Sequence, residues 1–322
     1  MESARVSLPP PSQQGDIWVA FLSILFEGIP FILIGSIVSG LIDAYLPARL
    51  MDRMLPKRGI PAVLASGLLG IIFPVCECAI VPVIRRLVQK GLPLGCAMTY
   101  MLAAPIVNPI VALSTYSAFQ GREPAMMTAS RVLLGYAIAV VAGLVLSRAG
   151  AGRVLQPRVL QGMAGGAADA ADAGRAPGDG IVRAMRTAQQ DFMDTVLYFV
   201  IGVGIASVAQ TQLFYRPGLQ DGIQSLAANH WLAAPVLMVA AFVLSLCSTT
   251  DAFIIAADSL FAATAKLAFL VFGPMFDMKL IFLYSTVLRP KAVFWLAIGL
   301  FVAVYLATLG LQPILEPVPV PK

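Results

Sequence analysis

Residues 73–91, FPVCECAIVPVIRRLVQKG, set two thiols and a carboxylate inside apolar sequence. In a helix, residues two apart point to different faces. In an extended turn, the spacing of Cys76 and Cys78 brings both sulfurs to one small ligand. A second stretch, LSLCSTTDAFII (244–255), offers Cys247 beside Ser248, Thr249, Thr250 and Asp251. Thiolates select soft ions. Cys76, Cys78 and Cys247 together suit a trivalent metalloid or a Cu(I)- or Zn-type ion, and they are the candidate metal ligands. The three hydroxyls after Cys247 both donate and accept hydrogen bonds, which suits an oxyanion or a partly dehydrated ion. Asp251 is a candidate cap for the helix that follows and can still line the site. The plainer reading of any cysteine is small apolar packing, and the solitary Cys96 is read that way.

Glu77 lies at the same turn. A carboxylate at membrane depth is costly and marks a pathway or proton site; its alternative is to sit at the positive end of the helix that follows. AAPIVNPIV (103–111) and GPMFDMK (273–279) supply further groups. A proline inside a helix removes a backbone hydrogen bond and kinks it. Pro74, Pro105, Pro109 and Pro274 are therefore expected helix breaks. Asn108 and Asp277 stand three residues after Pro105 and Pro274, one turn below each expected kink. Lys279 is expected to neutralise an acid such as Asp277 or Glu77. Glu27, ten residues into its apolar run, is a candidate proton carrier alongside Lys279, whereas Asp194 reads as a helix-end or surface group. Arg131, five residues into its run, is expected to snorkel. The candidate substrate-binding set is Cys76, Glu77, Cys78, Asn108, Cys247, Ser248, Thr249, Thr250, Asp251 and Asp277, with no cofactor.

The elements that position these groups follow from hydropathy. The chain is 59% hydrophobic and only 12% charged, against about a quarter charged in a globular protein. Apolar segments run over 17–46, 61–84, 94–119, 126–147, 192–213, 231–257, 262–288 and 292–312. A span takes roughly 20 helical residues, and continuous rather than alternating runs argue against a barrel. The class is an all-α polytopic membrane protein. Its basic residues sit in short loops, which excludes nucleic acid as the partner. The first run is too long for a cleaved signal and is read as the first span. Residues 149–190, rich in Ala, Gly, Asp and Arg, read as a flexible linker. Residues 1–16 and the Pro-rich 313–322 are tails.

The two halves match in order and spacing. Glu27 pairs with Asp194, Cys76 with Cys247, and Asn108 with Asp277, at offsets of 167, 171 and 169 residues. Basic residues then decide how the chain crosses. With eight full spans, one basic cluster or another must face outward, against the positive-inside rule. If 61–90 instead dips in and returns, turning at PVCEC, 15 of the 22 Lys and Arg share the cytoplasmic side. By symmetry 231–265 dips in from outside and turns at LCSTTD. The expected architecture is two inverted repeats, 17–148 and 191–312. Each has three transmembrane helices plus one re-entrant helical hairpin, with broken helices at the midplane. Both termini lie outside and the linker lies in the cytoplasm.

At FPVCECAIVPVIRRLVQKGLPLG, AAPIVNPIV and CSTTDAFI the chain resembles the ArsP/YraQ-type predicted permease family, over roughly residues 20–310. The resemblance implies a multi-span permease of the cell membrane. One branch exports trivalent organoarsenicals through membrane cysteines, which implies Cys76 and Cys78 as ligands. This chain carries Glu77 where that branch tends to carry a serine. The expected function is a secondary transporter for a soft metal, metalloid or thiol-reactive solute, with a homodimer or a second permease subunit as its protein partner and the lipid bilayer as its solvent. The alternative is a transmembrane thiol relay through Cys76, Cys78 and Cys247. An intramembrane aspartyl enzyme built on Asp251 and Asp277 lacks its Gly-x-Gly-Asp context, so no enzyme is expected.

Overall fold

A computed structural model describes residues 13–45, 59–73, 75–162, 177–214 and 230–315. Among these the chain is helical throughout, and its one β-type pairing is an isolated bridge between Leu155 and Leu288. The first half holds α1 (Gln13–Tyr45), α2 (Ile60–Ile72), α3 (Glu77–Gln89), α4 (Leu94–Val107), α5 (Pro109–Ala118) and α6 (Pro124–Ala149). A single turn, α7 (Ala151–Val154), leads to the second half. That half holds α8 (Pro177–Phe214), α9 (His230–Leu244), α10 (Thr250–Ala257), α11 (Ala263–Met275), α12 (Met278–Tyr284) and α13 (Pro290–Leu315). The order of long helix, two short helices, one broken helix and one long helix thus occurs twice.

Six units are long and apolar enough to span a bilayer: α1, α4 with α5, α6, α8, α11 with α12, and α13. α2 and α9 fall short of that length. The two broken units form the centre, with 78% and 83% of their most apolar windows buried, against 11% for α1. α1 turns Phe26, Ile34 and Ile37 outward instead, as a lipid-facing helix does.

Local chemistry explains the breaks. Phe73, which precedes Pro74, is extended at φ −114°, ψ 83°, because a following proline disfavours the helical region; Pro74 itself lies outside the described residues. Cys76 is also extended, and α3 starts after it. Neither Pro105 nor Pro274 is a break. α4 runs on to Val107 and α11 to Met275. The chain breaks instead at Asn108, followed by Pro109 at the first position of α5, and at Asp277. Each side chain caps the next helix: Asn108 Oδ1 accepts from Ile110 N (2.9 Å) and Asp277 Oδ1 from Leu280 N (2.7 Å). A side-chain oxygen that satisfies a free helix-start N–H favours the cap position, so the polar residue rather than the upstream proline marks each break.

Contacts decide which helix ends meet. Ile60, Pro93, Ser147 and Arg148 line one pocket, so the start of α2, the start of α4 and the end of α6 share one end of the bundle. Lys90, just past α3, donates there to the Asp43 carbonyl (2.8 Å). Gln156 N donates to Val287 O, and Arg289 N to Val154 O (2.9 Å each), bringing the α12–α13 turn to the same end. At the opposite end, an Arg122 guanidinium nitrogen donates to the carbonyls of Ala256 and Asp258 (3.0 Å each), and Tyr305 donates to the Trp231 carbonyl (3.2 Å). α2–α3 therefore begins and ends at the first end, and α9–α10 at the second.

The expected linker 149–190 is ordered at both margins. α7 packs by Val154 and Leu155, and residues 177–190 extend α8. Asp191 explains the second margin: it accepts from Arg86 through both carboxylate oxygens (2.8 Å each) and from Ser39 Oγ (2.6 Å). Within the expected linker, Arg183 Nε (3.3 Å) and Thr187 Oγ1 (3.2 Å) donate to the Asp43 carboxylate on α1. The remainder of the linker, 163–176, lies outside the described residues, as do 1–12 and 316–322.

Candidate functional site

The break between α2 and α3 places Cys76 before the helix and Glu77 and Cys78 in its first turn. The break between α9 and α10 places Ser245 to Thr249 between two helix ends. Ser245 takes a left-handed φ of 47°, which turns the carbonyls that end α9 toward α12. Lys279, on α12, meets them. Its Nζ donates to the carbonyls of Ser245 (2.7 Å) and Leu246 (3.0 Å). The same ammonium lies 3.0 Å from Asp277 Oδ2 and 3.5 Å from Glu77 Oε1. Ser248 Oγ donates to the other Glu77 oxygen (3.4 Å). One cation thus ties together both short-helix breaks and the broken helix α11–α12, and Glu77, Ser245, Ser248, Asp277 and Lys279 are all buried.

A small pocket, partly open where Glu27 and Phe31 are exposed, lies beside this cluster. Glu27, Cys76, Glu77, Cys78, Cys247 and Lys279 line it, with Gly28 and Phe199 across from them. Its volume open to water is about 20 Å³, close to the least that holds one water molecule. All four cysteines of the chain are free thiols. Cys76, Cys78 and Cys247 share the pocket, but among the described residues no three His, Cys, Asp or Glu side chains converge closely enough to hold a metal ion. As it stands, the pocket has room for a single water-sized group.

The remaining predicted residues surround the pocket without lining it. Thr249 Oγ1 reaches Cys247 Sγ (3.5 Å), and its carbonyl accepts from Ser114 on α5 (3.0 Å). Thr250 Oγ1 donates to Glu27 (3.4 Å). Asp251 is buried, and its Oδ2 has no hydrogen-bond partner; that oxygen would lie 3.1 Å from a Cβ added at Gly273, so glycine there leaves room for the carboxylate. Asn108 is a buried cap on α5 and does not line the pocket. Asp194 is 59% exposed and pairs with Arg85 at 3.1 Å.

Arg131 does not snorkel. It is fully buried, donating to Thr115 Oγ1 (2.6 Å) and to the Ser248 carbonyl (2.8 Å). The guanidinium therefore holds the α9–α10 turn from its far side. Its place near the start of α6 suggests an interfacial residue, yet α6 starts beside the tip of α10. Ser245 is a second residue that sequence reasoning passed over: its carbonyl binds Lys279, and its hydroxyl accepts from Met278 N (3.2 Å). Its position two before Cys247 in LSLCSTTD is the one signal that could have drawn attention to it.

An assembly of this kind, with buried ions and unwound backbone inside a multi-span bundle, is tolerated only where it is enclosed by protein or lines a cavity. Residues 15–312 match the family model described as "Predicted permease" (ArsP). The chain is 35% identical to the "UPF0718 protein YcgR" of Bacillus subtilis, over 90% of this chain and 94% of that protein. It is 32% identical to the "Putative two-component membrane permease complex subunit" of Streptococcus mutans, over 87% and 90%. No solved structure matches the chain. With the matched model covering both halves and every break around Lys279, this chain belongs to the ArsP family of predicted permeases.

Proposed function

We propose that this permease is a secondary transporter whose cargo is a soft metal ion, a metalloid or a thiol-reactive small solute, taken up at Cys76, Cys78 and Cys247. One observation carries the reading: thiols from two different helix breaks line one small pocket beside a buried ammonium. A thiol that ligates a soft ion gives up its proton, and the Lys279 ammonium lines the same pocket. Glu77 and Asp277 hold that charge in place, while Glu27, at the pocket's edge, is placed to take the released proton.

The two matched sets of helices act as inverted repeats. Support comes from the helix ends: α2–α3 enters and leaves at one end, and α9–α10 at the other. The first end carries Arg85, Arg86, Lys90, Arg148, Arg153 and Arg289, whereas the second has Arg122 and Lys266 among the described residues. Positive charge marks the cytoplasmic face, so the linker is cytoplasmic and both termini are outside. The two repeats rock about the pocket, which in its closed form admits one water-sized group. A second permease subunit is the partner suggested by the Streptococcus relative's description as part of a complex.

The test uses everted vesicles and three probes, phenylarsine oxide, Cu(I) and Zn(II). Wild-type protein is expected to move at least one of them. Cys76→Ser and Cys247→Ser, each confirmed as monodisperse, are expected to stop that movement. Full transport by both variants removes the thiols from the cargo site.

A further inference from the structure

A second cavity lies outside the ion cluster, and it has a geometric cause. α9–α10 reaches only part-way through the bilayer before turning back. Beyond its tip, no described helix fills the space between α9, α11, α12 and α13, and a groove of about 490 Å³ opens there. Its walls are almost wholly apolar, among them Phe242, Phe276, Ile281, Ala297, Ile298 and Phe301. Along α13 it runs from Val302 to Pro290. Twelve residues at about 1.5 Å rise give roughly 18 Å, against about 15 Å for half of a 30 Å hydrocarbon core. The groove is thus one leaflet deep. It ends at the basic end of the bundle, where Lys291 is exposed and Arg289 half-buried.

We propose that this groove holds one acyl chain of an anionic phospholipid whose headgroup lies against Lys291 and Arg289. Water does not fill an apolar groove at that depth, and an empty one forfeits the dispersion contacts of its whole lining. The occupant must therefore be apolar along one leaflet and negative at its end, and basic pockets between helices on the positive face are suited to such headgroups. The lipid would be part of the working site. Phe276 lines the groove, stacks on Phe242 with ring centroids 6.1 Å apart, and immediately precedes Asp277. An occupied groove therefore braces the break that presents Asp277 to Lys279.

Purified full-length protein, washed in mild detergent, is examined by native mass spectrometry and lipid extraction. The wild type is expected to retain a single phosphatidylglycerol or cardiolipin. Ala297→Trp, which fills the groove, and Lys291→Glu, which reverses the headgroup charge, are each expected to lose it. Added phosphatidylglycerol is expected to raise the melting midpoint of the delipidated wild type and not that of Ala297→Trp; phosphatidylcholine is expected to leave both unchanged. Three results would overturn the proposal: retention of zwitterionic lipid in equal measure, retention of anionic lipid by both variants, or disulfide dimers formed through Ile298→Cys, which would assign the groove to a second copy of the chain.

Discussion

Replacing Lys279 with methionine tests the central cluster most directly. The side chain has similar length and keeps the apolar contacts, so the change isolates the charge. Four acceptors lose their partner: the carbonyls of Ser245 and Leu246, and the carboxylates of Glu77 and Asp277, all within 3.5 Å of Nζ. Each buried carbonyl left unsatisfied costs about 1–3 kcal/mol. Removing one member of a buried ion pair costs about 3–5 kcal/mol. These losses overlap, because one relaxation answers them all, so a total of about 3–5 kcal/mol is the working figure. That is a large share of the roughly 5–15 kcal/mol by which proteins are stable. The assay is reversible denaturant unfolding of the purified protein in micelles, followed by tryptophan fluorescence. Asp277→Asn, which keeps the cap on Leu280, closes a double-mutant cycle, and a coupling of about 1–3 kcal/mol with Lys279→Met is expected. Arg85→Gln serves as the control, since its near partner Asp194 (3.1 Å) is 59% exposed and buried Asp191 lies only at the 3.9 Å limit; exposed pairs are worth about 0–1 kcal/mol. If Lys279→Met falls within about 0.5 kcal/mol of wild type, the range of an ordinary surface change, or if the cycle is additive, then Lys279 does not hold the breaks together.

Two further outcomes follow from packing and capping. A Cβ at Gly35 would sit 2.5 Å from the Ala79 carbonyl oxygen, whereas nothing lies within 4 Å of one at Gly299; Gly35→Ala should destabilise by about 1–3 kcal/mol and Gly299→Ala should stabilise by up to about 1 kcal/mol, read as opposite shifts in melting midpoint. Asn108→Ala removes the oxygen that accepts from Ile110 N and should cost about 0.5–2 kcal/mol, while Asn108→Asp should retain most of it; equal losses in the two variants would mean that the cap does not hold this break.

Much of the site was legible because its residues are polar in apolar surroundings. Cys76, Glu77, Cys78, Cys247 and Lys279 stand out from hydropathy alone, and all five line one pocket. Arg131 stood out as well, but its direction did not: a position near a span end predicts an interfacial head only if no polar partner is nearer, and here Thr115 and the Ser248 carbonyl are nearer. Pro105 and Pro274 drew attention three residues too early. A proline weakens a helix, but a side chain that can replace the lost backbone bonds decides where the chain unwinds, and Asn108 and Asp277 do so. Within the segment that composition reads as linker, residues 177–190 are helical, and Arg183 and Thr187 lie against Asp43.

The class of this protein and the approximate positions of its apolar helices were determined by sequence. Hydropathy and residue spacing are local properties that each segment carries into the membrane unchanged. The tertiary structure alone decided that one ammonium serves Glu77 and Asp277 together, that Arg131 points inward, and that a groove opens beyond the tip of α9–α10. Each of these depends on which groups, far apart along the chain, come within a few ångströms of each other, and a low-dielectric interior makes that proximity decisive for every charge it encloses.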